Sequence, residues 1–297
     1  MIDLTLVPEA WLYGVAALIG LMLGSFFNVV VVRLPRMMEL AWQRDCAEAT
    51  GAEANHGEAN RKPTAQQAPF NLAVPASHCP KCGATVRAWD NIPVISFIIL
   101  RGRCRHCKTR IHWRYPFLEL LSAVVPVVCL MVFGFTGAAL AYSVLLWFLL
   151  ILSSIDLDHM LLPDQLTLPL LWLGLLGSIT VLPLSPTDAI TGAVTGYLFL
   201  WSLFWVFKLL TGKEGLGYGD FKLLAALGAW LGWQMLPLVV LLGSLSGAII
   251  GIGLMLSKRQ QQGTPIPFGP FLALGGLIAL FAGDALYQWY WQWAGWA

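Results

Sequence analysis

The chain has 297 residues, of which 58% are hydrophobic and only 11% charged, and its mean hydropathy is +0.70. Soluble domains carry about 25% charged residues, so this composition excludes a water-soluble fold and predicts an all-α polytopic membrane protein. The net charge of +2 conceals an uneven distribution, because thirteen of the 18 Lys and Arg fall between Arg33 and Arg114.

Taken in chain order, the first apolar stretch is Trp11 to Val32, about 22 residues and long enough to span a bilayer. Asp3 and Glu9 precede it, where a cleavable signal peptide would carry positive charge, so it reads as a retained first helix. One long polar segment follows, from Arg33 to Arg114. Within it, residues 36–50 are expected to form a short amphipathic helix, and residues 51–69, rich in Ala, Glu, Asn, Gln and Pro, a flexible insert. Asn91 to Leu100 is apolar but too short to span, and is expected to pack on the bilayer surface or on the small domain. Seven further apolar windows lie at 114–134, 138–155, 165–183, 188–210, 220–234, 236–257 and 267–290. The expectation is therefore about eight transmembrane helices, divided as residues 1–33, a polar loop domain at 34–114 and a seven-helix domain at 115–297. Gly243, Gly247 and Gly251 recur at the small-xxx-small spacing of helix packing. No repeat of 20–50 residues is visible, nor an inverted duplication of the transporter kind.

With eight spans, the remaining basic residues, Lys208, Lys213, Lys222, Lys258 and Arg259, fall on the same side as the large loop. The turns at 133–137, 183–188 and 232–236 contain none. The positive-inside rule then places the loop in the cytoplasm and both termini outside, with the aromatic cluster Trp289-Tyr290-Trp291-Gln292-Trp293 in an outer interfacial belt. The loop carries thirteen basic and six acidic residues, net +7, which serves topology and attraction to the lipid bilayer. Neither an aromatic stacking platform nor a recognition helix stands out, so no nucleic acid is expected.

The loop holds two C-x-x-C knuckles, Cys79-Pro-Lys-Cys82 and Cys104-Arg-His-Cys107. Four cytoplasmic thiolates in two such pairs suit a closed tetrahedral Zn2+ site of structural type, which leaves no coordination position open for catalysis. A redox dithiol pair is the competing reading, and unliganded thiols a third. His78, His106 and His112 lie nearby and read as solvated loop residues, while Cys46 and Cys129 have no partner pair.

Asp156 closes the third apolar window and Asp220, in Gly217-Tyr218-Gly219-Asp220, opens the sixth. An aspartate at membrane depth costs about 2.5–3.5 kcal/mol, so each is a functional candidate. Under the eight-span topology both lie at the cytoplasmic side and can meet. Two adjacent carboxylates share one proton, and the ionised one can activate water for attack on a carbonyl. Gly217 and Gly219 would let an extended substrate approach the backbone. Ion coordination and structural capping remain open beside this reading, and a transporter or channel with a zinc-stapled cytoplasmic domain is the competing class. Asp164, after Pro163, is expected to cap the helix that follows. Asp158 and Glu119 have no assigned role, and Asp188 and Asp284 fall toward the other face.

These residues carry a resemblance. The chain resembles the bacterial type IV prepilin peptidases, membrane aspartic proteases with a GxGD motif, in Gly24-Ser25-Phe26-Phe27-Asn28-Val29-Val30 with Arg33-Leu34-Pro35 and in Pro75-Ala76-Ser77-His78-Cys79-Pro80-Lys81-Cys82. It does so again in Trp89 to Ser96, in Arg101-Gly102-Arg103-Cys104-Arg105-His106-Cys107 and in Arg114-Tyr115-Pro116. Asp156 to Asp164, Gly217-Tyr218-Gly219-Asp220-Phe221-Lys222 and Pro267-Phe268-Gly269-Pro270-Phe271 complete it, while residues 36–69 depart from it. The resemblance implies a bifunctional enzyme of the bacterial inner (cytoplasmic) membrane. It would cleave the basic leader of type IV prepilins and type II secretion pseudopilins at a Gly–Phe bond, with Asp156 and Asp220 as the catalytic pair. It would then N-methylate the new terminus with S-adenosylmethionine. A protease-only relative is the alternative within the family. No Gly-rich strand–turn–helix cofactor motif occurs, and the resemblance points instead to Gly102 and Arg103 in the zinc-bearing loop.

Overall fold

The computed structural model describes residues 8–49, 70–213, 215–257 and 266–295. The insert at 51–69 and the basic pair Lys258 and Arg259 lie outside the described residues. Among the described residues there is no β-strand, and the elements are α1 (Glu9–Ala49), a 3-10 turn (Ala88–Asn91), α2 (Ile95–Ile99), α3 (Arg114–Phe133), α4 (Gly137–His159), α5 (Asp164–Thr180), α6 (Pro186–Thr211), α7 (Tyr218–Leu231), α8 (Leu236–Leu256) and α9 (Gly269–Trp293). The chain is an all-α polytopic membrane protein. Eight long helices match the eight apolar windows, and six are long and apolar enough to cross a membrane on their own. α5, with 17 residues, and α7, with 14, are shorter.

Two compact units divide inside α3, as Met1–Val124 and Val125–Ala297. In the first, α1 does not stop near residue 33. It runs as one helix of 41 residues with Pro35 inside it, where a separate amphipathic helix was expected from residue 36. At 1.5 Å per residue this is about 60 Å, twice a hydrocarbon core. Pro35 removes one backbone hydrogen bond, yet the ring is buried and the helix continues through it. α1 meets α3 at Gly24, where a Cβ would stand 2.7 Å from Glu119 Cα and 2.9 Å from Ser122 Cβ. Asn28 Nδ2 donates to the Tyr115 carbonyl at 3.1 Å. Arg33 donates to the carbonyls of Asn71 and Leu72 at 3.0 and 3.3 Å, and Arg36 covers the Phe70 ring at 5.2 Å.

The second unit is organised around α7. Phe221, Leu223, Leu224, Ala226, Leu227 and Ala229 are fully buried, and Trp230 nearly so. A helix apolar all round belongs inside a bundle, and α7 packs against α5, α6, α8 and α9. Its 14 residues reach about 21 Å, short of a bilayer core. The surrounding protein covers most of residues 220–230, while Gly217 and Tyr218 at its start are exposed.

Close packing here comes from small residues. A Cβ on Gly192 of α6 would stand 2.7 Å from the Gly228 carbonyl carbon of α7, and one on Gly196 would stand 2.6 Å from the Leu224 oxygen. On α5, Gly174 leaves space for the Trp230 indole, whose Nε1 donates to the Leu170 carbonyl at 2.8 Å. Gly243 and Gly247 of α8 face Phe271 of α9, and Gly251 faces Ile266, so the glycine ladder is a packing surface. Replacing Gly192 by Val is expected to destabilise the bundle by at least the upper end of the about 1–3 kcal/mol typical of overpacking. Gly14→Ala, where a Cβ meets nothing within 4 Å, is expected to be neutral or stabilising by about 0.5–1 kcal/mol. Unfolding midpoints in detergent measure both.

Candidate functional site

Asp156 lies in the last turn of α4. That helix ends at Met160, which adopts the left-handed conformation (φ 52°) and donates its N–H to the Asp156 carbonyl. The side chain is 5% exposed, and its Oδ2 accepts the Gly269 N–H at 3.0 Å. Gly269 is the first residue of α9 and is followed by Pro270, so its N–H is one of the donors that a helix start leaves without an intrahelical acceptor. Asp220 lies in the first turn of α7 and is 6% exposed. Its Oδ2 accepts the Gly217 N–H at 3.1 Å, while its own N–H donates to the Gly217 carbonyl at 3.2 Å. Its Oδ1 is buried and has no hydrogen-bond partner among the described residues. The structure brings the two aspartates to one place: Leu162 packs on Gly219, next to Asp220, and on Gly269, whose N–H Asp156 accepts.

Leu162 packs against a glycine beside each aspartate. A Cβ on Gly219 would stand 2.6 Å from Leu162 Cβ, and one on Gly269 would stand 3.2 Å from Leu162 Cδ2 and 2.6 Å from Asp156 Oδ2. Gly219 therefore admits Leu162, and Gly269 admits both Leu162 and the aspartate. An apolar groove of about 250 Å3, lined by Gly247, Pro267, Phe268 and Phe271 among others, opens beside Gly269.

Asp164 is not a helix cap. The N-cap position of α5 is Pro163, and the Asp164 carboxylate instead takes both oxygens to Lys222 Nζ at 2.6 and 2.7 Å. That pair ties the start of α5 to α7 two residues beyond Asp220. With the two side chains 28% and 53% exposed, it contributes about 0.2–1 kcal/mol. Asp158, two residues after Asp156, is exposed. Asp188 belongs to the opposite end of the bundle, where Ser185, Trp233 and Gln234 all donate to it. Sequence reasoning gave no role to Gly269, Leu162 or Lys222. The Gly-Pro pair opening an apolar window was the signal for Gly269.

In the first unit, the four cysteines of the loop converge. The sulfurs of Cys79, Cys82, Cys104 and Cys107 lie within 4.8 Å of one another, with Cys79 and Cys107 3.7 Å apart. Tetrahedral metal–thiolate bonds of about 2.3 Å place sulfurs about 3.8 Å apart, so the cluster has the geometry to hold a metal ion. A local repeat absent from the sequence reading emerges here. Cys79 N–H bonds to Ala84 O as Cys104 N–H does to Thr109 O, and Val86 N–H bonds to Ser77 O as Ile111 N–H does to Gly102 O. Gly83 and Lys108 take the same positive φ, 69° and 58°, so the two knuckles are one backbone motif used twice. The hydroxyl and N–H of Thr109 hold the Cys107 thiol down at about 6. Although the Ala84 N–H favours its thiolate, desolvation and the neighbouring sulfurs push Cys82 up to about 11. A cation is what allows four such groups to ionise together.

Arg105 in the second knuckle grips Asp90 of the 3-10 turn with Nε at 2.8 Å and Nη2 at 2.5 Å, and it holds the Asp90 carboxyl below its usual range. Gly102 (φ 65°) is buried against the Phe97 ring, and its N–H and carbonyl are both spent on Phe97 and Ile111. Arg103 is exposed. Glu119 accepts the Val94 N–H at 2.8 Å and a hydrogen bond from Ser25.

Comparison with known proteins covers both units. Residues 18–133 match the bacterial peptidase A24 N-terminal domain, and residues 143–252 match the type IV leader peptidase family. The chain is 53% identical over 278 residues to a Pseudomonas aeruginosa protein named prepilin leader peptidase/N-methyltransferase, covering 94% of this chain and 93% of the relative. It is 54% identical over 281 residues to the Aeromonas hydrophila protein of that name, with 94% of each covered. To the Burkholderia pseudomallei protein it is 51% identical over 281 residues, covering 94% of this chain and 88% of the relative. No solved structure matches the chain. With both catalytic-type carboxylates inside one family match and all four cysteines inside the other, the chain belongs to the type IV leader peptidase family.

Proposed function

We propose that this protein cleaves the basic leader from type IV prepilins and type II secretion pseudopilins and N-methylates the residue thereby exposed. The observation that carries the first activity is the Asp156–Asp220 pair. Each aspartate keeps one oxygen on a backbone N–H, and Asp220 keeps its other oxygen unbonded. One proton shared by two close carboxylates leaves one group to accept a proton from water and the other to donate to the carbonyl oxygen. Glycine N–H donors fix each carboxylate without supplying a cation that would hold both ionised. The groove beside Gly269 offers an apolar surface to the substrate chain next to the scissile bond.

The family implies two further groups, a metal and a methyl donor. The four cysteines fit Zn2+, and the closed donor set makes it structural: it would fix the two knuckles and the Arg105–Asp90 turn. S-adenosylmethionine supplies an activated methyl group when bound. Among the residues expected to bind it, the exposed Arg103 guanidinium suits a cofactor carboxylate, while Gly102 shapes the loop and has no spare backbone group. In this reading residues 1–33, 34–114 and 115–297 are the first span, the zinc-bearing loop domain and the protease domain. The protein lies in the inner membrane with the loop and both aspartates toward the cytoplasm, where the charge census puts them.

Asp156→Asn and Asp220→Asn are each expected to reduce leader removal by at least about a hundredfold, within the range of general acid–base contributions. The same variants are expected to unfold at higher temperature, because the amide removes like-charge repulsion, by about 2–4 °C for each kcal/mol of repulsion lost. Cleavage of a purified prepilin, followed by gel shift, together with thermal melts, checks both statements. Near wild-type cleavage by either variant removes the pair from the mechanism. For the metal, elemental analysis should find about one zinc per chain and less than half that in Cys104→Ser. Mass spectrometry of the processed terminus distinguishes the bifunctional enzyme, which adds a methyl group, from a protease alone.

A further inference from the structure

Glu119 is a carboxylate in the second turn of an apolar helix, and the proteolytic pair gives it no role. Its Oε2 takes the Val94 N–H at 2.8 Å, and Ser25 of α1 supplies a hydroxyl. Among the described residues it has no ion-pair partner. The side chain is only partly buried, so a ligand can reach it. The close approach of α1 and α3 at Gly24 brings Ser25 to this turn. Asn28, one turn along α1, binds the Tyr115 carbonyl on the same stretch of α3.

The Val94 N–H could be accepted as well by a glutamine carbonyl oxygen. A charge at this depth costs about 2.5–3.5 kcal/mol at the bilayer centre, and less toward the interface, so holding Val94 does not explain why the residue is ionisable. Val94 itself is a β-branched residue at φ 58° and ψ −47°. Such conformations cost about 1–3 kcal/mol and cluster where a backbone must be presented to a ligand. A carboxylate with two neutral donors, no cation and an open side is complementary to a small cation. The reaction supplies one: leader cleavage releases an α-ammonium group.

We infer that Glu119, with Ser25 and the Val94 backbone, forms the site that receives the new terminal amine of the cleaved substrate for methylation. This rests on the two-activity reading above. The α-ammonium ion-pairs with Glu119 and passes one proton to the carboxylate. The freed nitrogen lone pair forms the N–C bond to the methyl carbon of a sulfonium donor as the S–C bond breaks, and the donor leaves as a neutral thioether. The product nitrogen carries the positive charge and returns to equilibrium with solvent.

The test compares wild type with Glu119→Gln, which keeps a carbonyl oxygen to accept the Val94 N–H, using the full-length protein in detergent. Two readouts are taken: methyl transfer to processed pilin by mass spectrometry, and affinity for a mature N-terminal peptide with a free or an acetylated amine, measured without methyl donor. Wild type is expected to prefer the free amine by at least about tenfold. Glu119→Gln should lose that preference, lose at least about a hundredfold in methylation, and retain leader cleavage and its unfolding midpoint. Methylation by Glu119→Gln at the wild-type rate overturns the inference, as does an undiminished amine preference. Joint loss of cleavage and of thermal stability also overturns it, by showing a role in folding. A wild-type enzyme that cleaves but never methylates fails at the earlier step and overturns the two-activity reading, and the inference with it.

Discussion

Two backbone N–H groups, from Gly217 and Gly269, hold the two aspartates around which the second unit is arranged. A carboxylate buried at the end of an apolar helix needs donors, and the apolar side chains around it supply none. Helix starts do, because their first N–H groups lack intrahelical acceptors. α7 and α9 therefore both begin where the aspartates lie. At Gly219 of α7 Leu162 occupies the space of a Cβ, and at Gly269 of α9 Asp156 and Leu162 do. The shortness of α7 follows from the same constraint. Its first turn must sit at the depth of the carboxylates, and the burial of most of residues 220–230 among α5, α6, α8 and α9 compensates for a length too small to span alone.

The first unit solves a different problem. Its loop is short of apolar residues, and a cluster of four cysteines that could hold a metal ion stands where a core would. Two copies of one knuckle present four sulfurs to a common point, and Arg105–Asp90 fixes the turn between them. Ser96 Oγ, buried, donates to the Trp89 carbonyl at 2.8 Å and closes the turn onto α2. A metal held by the four cysteines would supply folding free energy and make the loop's geometry contingent on four residues rather than on many.

The apolar windows located every long helix, because burial in lipid imposes a length and composition that short-range sequence shows directly. The aspartates and cysteines were legible for a related reason: each is costly or reactive where it stands. What stayed hidden was set by distant partners. Nothing local tells Asp164 to choose Lys222, 58 residues away, over the nearby backbone of α5. Gly269 looked like a helix start and is also the donor to Asp156, a pairing across 113 residues. The knuckle repeat escaped because Gly83 and Lys108 share a backbone conformation but no chemistry. The continuity of α1 escaped because Pro35 and the change to polar residues both signal an ending, while tertiary contacts to residues 70–72 support the helix through it.

The acidic residues of the chain sort by what satisfies them. Asp90 and Asp164 are met by Arg105 and Lys222, and Asp188 by a saturated set of neutral donors from Ser185, Trp233 and Gln234. These are closed sites, and each joins two elements. Asp156, Asp220 and Glu119 are held by backbone N–H groups, and among the described residues no cation pairs with them. An ion pair would neutralise them and fix their protonation state, whereas a few neutral donors orient a carboxylate and leave its proton affinity to the substrate or to the other aspartate. Retaining unpaired carboxylates near a membrane is costly to stability, and at functional sites that cost is the usual signature of selection for chemistry over packing. The proposed division follows from this contrast: the pair on α4 and α7 accepts protons from water, and the single carboxylate on α3 accepts one from an amine.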